Sequence, residues 1–107
     1  MISFEEFKKL ELRVAKILEA TRVEGSEKLV KLKVDLGEEG ARQIVAGVGT
    51  QYDPEVLTGR EIVIIANLEP RMLMGHESQG MLLAASVDNH PVLLKPDQEV
   101  PPGTKIR

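Results

Sequence analysis

The stretch Leu29–Val48, "LVKLKVDLGEEGARQIVAGV", carries the clearest fold signal in the chain. From Val30 to Leu36, apolar and polar side chains alternate, which is typical of a half-buried β-strand. One face of this strand should pack on a core, while Lys31 and Lys33 stand in solvent on the other. "GEEG" then predicts a turn, and "ARQIVAGV" predicts a second strand that pairs with the first as a hairpin.

Upstream of this hairpin, the sequence predicts a short helix and a bent strand. Ser3 and Glu6 have the spacing of a capping box, so a helix should run from about Phe4 to Lys9. The residues from Leu10 to Val23 are strand formers, but their apolar positions change register part-way along. Such a change predicts a bend or bulge that lets one strand serve two parts of a sheet.

Downstream, a helical turn, two more strands and a tail are predicted. Pro54–Leu57 should form a single helical turn between the third and fourth strands. "EIVIIANL" is apolar at nearly every position and predicts a strand covered on both faces. "EPRMLMGHE" is expected to be a loop, and "GMLLAASV" the fifth strand. The last twenty residues hold four of the six prolines, which predicts an extended tail that packs on something.

Together these elements predict an all-β fold, a five-stranded OB-fold barrel with a short N-terminal helix and an extended C-terminal tail. The expected organisation is a single domain, residues 1–107, with the helix in 1–9, the barrel in 10–87 and the tail in 88–107. Propensity alone also permits other small β-barrels.

Composition limits the possible functions. There is no cysteine, the N-terminal segment has no long apolar run, and we expect a soluble, cytoplasmic protein without a membrane anchor. Aromatic residues make up only 3%, so a surface of several stacked rings is not available. The net charge is -3, but the segment Lys8–Lys33 carries +4 and the remainder -7. A local basic face on an acidic body is therefore possible.

Neither catalysis nor metal binding is indicated. His76 and His90 have no second ligand at a spacing typical of a metal site. Ser78 has no general base close in sequence, and Gly47–Gly49 lacks the rest of a nucleotide-binding motif. We expect no enzymatic activity of the chain on its own and no cofactor.

The segment Asn67–Ala85, "NLEPRMLMGHESQGMLLAA", has an order that packing does not explain. It resembles the Asn-Leu-x-Pro-Arg-x-Leu-x-Gly-x-Glu-Ser-x-Gly-Met signature of the tRNA-binding OB-fold family. "LELRVAKILEA", "KLVKLKVDLG" and "RQIVAGV" extend the resemblance, so that it covers roughly Phe4–Val87 and much of the tail. Within that family, the chain is most similar to the C-terminal appendage of methionyl-tRNA synthetase.

The resemblance implies a non-catalytic module that binds tRNA by shape and aids aminoacylation by a synthetase in the same or a separate chain. It also implies a homodimer through the N-terminal helix and the C-terminal tail; a monomer whose tail folds back over its own barrel is the alternative. The RNA-facing residues that it implies, together with Lys31 from the strand pattern, are Lys28, Lys31, Lys33, Arg42, Asn67, Arg71, Ser78 and Met81. For Asn67 a structural role in tying down the loop remains open, and for Met81 a half-buried barrel position.

The chain also departs from the family pattern in ways that predict modest RNA affinity. Met72 and Met74 stand where relatives often have basic residues, and Glu69 stands where a lysine is common. Fewer phosphate contacts predict a shallower dependence of affinity on salt. A second possible function is therefore a dimerisation or scaffold module of a synthetase assembly that binds little RNA itself.

Overall fold

The computed structural model describes residues 1–107 and begins with the predicted capping box. Helix α1 spans Phe4–Phe7, with the Ser3 hydroxyl accepting from the Glu6 N–H and the Glu6 carboxylate accepting from the Ser3 N–H. The helix is shorter than the predicted Phe4–Lys9, and it buries no residue. No helix in the structure is both long enough and apolar enough to cross a membrane.

Six strands form the main sheet, of which β10 (Lys105–Ile106) pairs only with β1. The other five are β1 (Leu12–Arg22), β2 (Val30–Asp35), β3 (Ala41–Ala46), β4 (Glu61–Ile65) and β7 (Met81–Leu82). Their order is β3-β2-β1-β4-β7, and the paired strands are antiparallel. The predicted bend in the first strand is confirmed. The pairing of β1 with β2 shifts between Ile17 and Glu19, so the first half of β1 pairs with β4 and the second half with β2.

The sheet curls into an OB-like barrel, as predicted, and closes where β3 meets the segment Ser78–Gly80. The Gln79 N–H donates to the Gln43 carbonyl at 2.8 Å, and the Val45 N–H donates to Ser78 Oγ at 3.0 Å. Gly80 has φ +135°, and a Cβ there would lie 2.7 Å from the Ile65 carbonyl oxygen. Only glycine allows the chain to pass this close to β4.

The barrel core is aliphatic, as the composition predicted. Its largest fully buried side chains include Leu32, Ile44, Ile62 and Ile64. Two short helices complete the barrel: a 3-10 helix at Gly37–Glu39 and helix α2 at Pro54–Leu57. The second matches the predicted helical turn, and it places Leu57 in the core. The sequence predicted that β4 is covered on both faces. In the structure one face of β4, with Ile62 and Ile64, is fully buried and the other is half-buried.

The segment predicted as the loop "EPRMLMGHE" is largely a β-hairpin. Strands β5 (Arg71–Leu73) and β6 (His76–Ser78) pair antiparallel. Met74 (φ 47°) and Gly75 (φ 82°) lie between them, both in the left-handed region. This is the geometry of a tight two-residue hairpin turn, which asparagine or glycine usually occupies at its first position. The loop prediction was wrong because Met74 gives no turn signal.

The C-terminal part contains a second hairpin and then returns to the barrel. The predicted fifth strand continues past Leu82, after a break at Leu83, as β8 (Ala84–Val87), which pairs with β9 (His90–Leu93). Beyond it, β10 (Lys105–Ile106) pairs with the start of β1. The Gly103 N–H donates to the Val14 carbonyl at 2.7 Å. The end of the tail thus lies on its own barrel, as the monomer alternative assumed.

Candidate nucleic-acid interface

A shallow groove of about 350 Å³ lies on the outer face of β1, β2 and β3. Because paired residues on neighbouring strands share a face, the register fixes its layout. Lys31 lies between Thr21 and Val45, and Lys33 lies between Glu19 and Gln43. The residues that line the groove are Glu19, Thr21, Lys31, Leu32, Lys33, Ala41, Arg42, Gln43 and Gln79.

The two lysines of β2 are placed in this groove by the alternation of the strand. Val30, Leu32 and Val34 are each 0% exposed and fill the core from the other face. Lys33 is exposed and Lys31 half-buried, so the predicted alternation of β2 is confirmed, while Lys31 is less exposed than predicted. Two ammonium groups above one strand form a small positive site, opposed within the groove by the single acid Glu19.

Neutral side chains that the sequence reasoning missed form one side of the groove. Gln43 and Gln79 are interlocked: the Gln43 N–H donates to Gln79 Oε1 at 3.0 Å, and Gln43 Nε2 donates to the Glu77 carbonyl at 2.9 Å. Thr21, on β1, is the cross-strand neighbour of Lys31 and also lines the groove. A correct strand register would have revealed Thr21 and Gln43, since both are cross-strand neighbours of the lysines.

Arg42 lines the groove, but its guanidinium is engaged elsewhere. It donates to the Ala66 carbonyl and pairs with the Glu39 carboxylate at 3.3 Å. Glu39 also pairs with Arg13 at 2.9 Å, so the Arg42 head group belongs to a charged network at one end of the barrel. The charge of Arg42 is thus paired within the protein, and its role as an RNA contact stays a prediction.

Ser78 also differs from the prediction. Only 4% of its surface is exposed, and its hydroxyl donates to the Gly80 carbonyl at 2.9 Å while accepting from the Val45 N–H. A hydroxyl has one proton to donate, and that proton is used inside the protein. Ser78 closes the barrel and is not presented to RNA.

Asn67 has the structural role that was left open for it. Its Oδ1 accepts from the Glu11 N–H at 2.8 Å, and its Nδ2 donates to the Lys9 carbonyl at 2.7 Å. These bonds hold the segment between α1 and β1 against the end of β4. Asn67 is nevertheless exposed, and its amide keeps a second proton and a second lone pair, so its role as an RNA contact stays a prediction.

The remaining predicted residues are accessible but lie outside the lining of the groove. Lys28 is exposed in the turn before β2, and its aliphatic stem lies over Gly47. Arg71 is exposed on β5, opposite Ser78. Met81 is 43% exposed on β7, where it pairs with Ile65. The structure thus brings Lys31 and Lys33 together and leaves Lys28, Arg71 and Met81 free at the surface.

Comparison with known proteins identifies the kind of module that this groove belongs to. The model of a family described as "Putative tRNA binding domain" matches residues 12–105. The chain belongs to this tRNA-binding domain family. The match covers all the strands of the barrel and most of the tail, so the groove lies within it.

A segment of each of two methionine--tRNA ligases is similar to this tRNA-binding domain. That of Methanothrix thermoacetophila is 56% identical over 107 residues, which is 100% of this chain and 16% of the ligase. That of Caldanaerobacter subterraneus is 55% identical over 105 residues, again 16% of the ligase. The chain therefore spans only a small part of these relatives.

Solved structures show the same fold. A MetRS related protein from Pyrococcus horikoshii superimposes with a TM-score of 0.93 at 35% identity, covering 100% of this chain and 98% of that one. The chaperone CsaA of Bacillus anthracis gives a TM-score of 0.90 at 34% identity, covering 100% and 99%. The tRNA-binding domain is thus similar both to a segment of large ligases and to chains of its own size.

Proposed function

We propose that this chain is a non-catalytic tRNA-binding and dimerisation module that acts with a methionyl-tRNA synthetase and aids aminoacylation. The observation that carries the proposal is the groove over β2, which Lys31 and Lys33 line together with the neutral hydrogen-bonding side chains of Thr21, Gln43 and Gln79. Its relatives within methionine--tRNA ligases supply the biological context.

In this proposal, Lys31 and Lys33 bind phosphates of the tRNA backbone, while Lys28 in the turn before β2 and Arg71 on β5 add contacts. Thr21, Gln43 and Gln79 face the same groove as neutral partners. Amide and hydroxyl groups can meet a 2'-hydroxyl or a base edge without selecting one sequence. Recognition therefore depends on the shape of the RNA, while Met81 offers an apolar contact to a base.

Dimerisation is assigned to a second groove, of about 560 Å³, between α1, the start of β1 and β10. Its apolar lining includes Phe4, Phe7, Leu10 and Ile106, and Phe4 is 70% exposed. A second copy of the chain that covers this groove would remove an aromatic side chain from water. We call the groove that Lys31 and Lys33 line the lysine groove. A dimer would present two lysine grooves to one tRNA.

Titration of the chain with bulk tRNA at about 50 and 200 mM salt tests the RNA proposal. We expect a complex at micromolar protein that weakens as the salt rises. Absence of any salt-sensitive complex would contradict it and favour the scaffold module, which the net charge of -3 and the presence of Glu19 in the groove support.

Sedimentation of Phe4→Ser/Phe7→Ser against wild type tests the dimer. We expect a wild-type dimer and a monomeric variant. Val56→Ser, which changes a 50% exposed side chain on α2, is the matched control and should stay dimeric. A variant that sediments like wild type would remove the groove from the interface.

A further inference from the structure

The methionines of this chain are distributed in an unusual way. Apart from Met1, the three methionines are Met72, Met74 and Met81, within ten residues of one another. Their exposed fractions are 65%, 58% and 43%, and none belongs to the core cluster. Methionine usually fills gaps in cores, whereas exposed methionines occur on surfaces that bind varied partners. Two of them, Met72 and Met74, lie on the β5–β6 hairpin.

The β5–β6 hairpin contacts one residue of the lysine groove at its base and the turn between β1 and β2 at its tip. At its base, the Glu77 carbonyl accepts from Gln43 Nε2, and Glu77 is the residue paired with Met72. At its tip, Met74 reaches the turn between β1 and β2, since a Cβ on Gly25 would lie 3.7 Å from Met74 Cε. The hairpin therefore extends from Gln43, which lines the groove, to the turn that leads into the strand of Lys31 and Lys33.

Met74 occupies this tip at a conformational cost. Its φ of 47° lies in the left-handed region, where an L side chain is strained and where asparagine or glycine is favoured. Strained positions of this kind cluster at functional sites. A long apolar side chain kept at such a position, and left 58% exposed, indicates a use for the side chain itself.

The groove also lacks any aromatic ring on which a base could stack. The three rings of the chain are Phe4 and Phe7 in α1 and Tyr52, whose hydroxyl accepts from the Leu93 N–H. None of them lines the lysine groove. Met72 and Met74, on the hairpin that contacts Gln43, instead offer exposed, polarizable apolar side chains.

We propose that Met72 and Met74 form a contact surface for an unpaired nucleobase of the RNA whose phosphates lie on Lys31 and Lys33. The proposal rests on the RNA-binding function proposed above and specifies its non-ionic part. Specific RNA recognition commonly uses unpaired bases packed against a flat or polarizable side chain. The hairpin carries one positive charge, Arg71, and one negative charge, Glu77, so its net charge is zero. The methionines therefore add apolar contact area to the RNA interface and no net charge.

The test compares wild type with Met72→Gln/Met74→Gln by fluorescence anisotropy on two probes, an RNA stem with an unpaired loop and a blunt RNA duplex of equal length. We expect the variant to bind the stem-loop about fivefold to tenfold more weakly, with an unchanged salt slope, and to bind the duplex as wild type does. Met72→Leu/Met74→Leu keeps apolar side chains and should bind within about twofold of wild type. Val56→Gln, on α2, controls for loss of an exposed apolar residue elsewhere.

Thermal melting of each variant checks that it remains folded. We expect folded variants because Met72 and Met74 are both exposed. Unchanged stem-loop affinity of Met72→Gln/Met74→Gln overturns the base contact, and so does an equal loss on the duplex. In either case, salt-sensitive binding by wild type would leave the RNA function standing. If wild type binds neither probe nor tRNA, the function fails and the base contact fails with it.

Discussion

The Ser78 hydroxyl helps to close the barrel, beside the hydrogen bonds between Gln43 and Gln79, and Ser78→Ala should show how much it contributes. The hydroxyl makes two hydrogen bonds, of 2.9 and 3.0 Å, at a site with 4% exposure. Its removal leaves the Val45 N–H and the Gly80 carbonyl without a partner in the barrel wall. A buried group without a hydrogen bond costs about 1–3 kcal/mol, so we expect the free energy of unfolding to fall by about 2–3 kcal/mol. For a domain of this size, Tm should fall on the order of 10 °C.

Urea unfolding followed by circular dichroism measures this loss, with tRNA titration on the folded variant beside it. Ser86→Ala is the matched control, because Ser86 is exposed on β8, and it should change stability by less than about 0.5 kcal/mol. The folded Ser78→Ala protein should keep its tRNA affinity. A stable variant that binds tRNA poorly would contradict the structural role of Ser78 and favour it as a direct RNA contact.

Two further substitutions test the close approach at Gly80 and the structural role of Asn67. Gly80→Ala should destabilise the protein by more than about 2 kcal/mol in urea unfolding, since the new Cβ meets the Ile65 carbonyl; Gly40→Ala, where φ is +81° and nothing lies within 4 Å, should cost about 1 kcal/mol. Similar losses at both glycines would contradict the close approach. Asn67→Ala should speed amide exchange at Glu11 and leave tRNA affinity unchanged, because both of its polar atoms bind the protein chain. Unaltered exchange combined with weaker tRNA binding would return Asn67 to the RNA contacts.

Local patterns in the sequence predicted the elements whose signals are also local. The alternation of β2, the capping box at Ser3 and Glu6, and the helical turn at Pro54–Leu57 all appear in the structure as expected. The bend of β1 was also recoverable, because apolar side chains that change register within one strand can face the same core only if the strand bends or bulges between them.

The two tight hairpins were not recoverable in the same way. Gly75 in the β5–β6 turn favours the left-handed region, but Met74, which enters that region first, does not, so the turn signal is incomplete. Asp88 and Asn89 do favour such a turn, with φ of 49° and 65°, but the prolines that follow suggested an irregular tail. Proline at the second position of β9 is tolerated because that strand lies in a separate two-stranded sheet.

The site was predicted in part, for a related reason. Exposure of Lys33 follows from strand alternation, whereas the roles of Arg42, Asn67 and Ser78 depend on partners far away in sequence. Ser78 meets Val45 across 33 residues, and Asn67 meets Lys9 across 58. A polar residue in a family motif can serve RNA or the fold, and only the three-dimensional partners distinguish the two.

Lys31 and Lys33 are proposed to bind RNA phosphates, and the salt dependence of tRNA affinity measures those contacts. The variant Lys31→Ala/Lys33→Ala should bind more weakly, and the slope of log K against log salt should become shallower by about 1.4–1.8, since each lost phosphate contact removes about 0.7–0.9. Arg60→Ala/Lys95→Ala removes two charges beside a different groove and should leave the slope unchanged. A wild-type slope in the lysine variant, or an equal change in the control, would contradict the assignment of Lys31 and Lys33 as phosphate contacts.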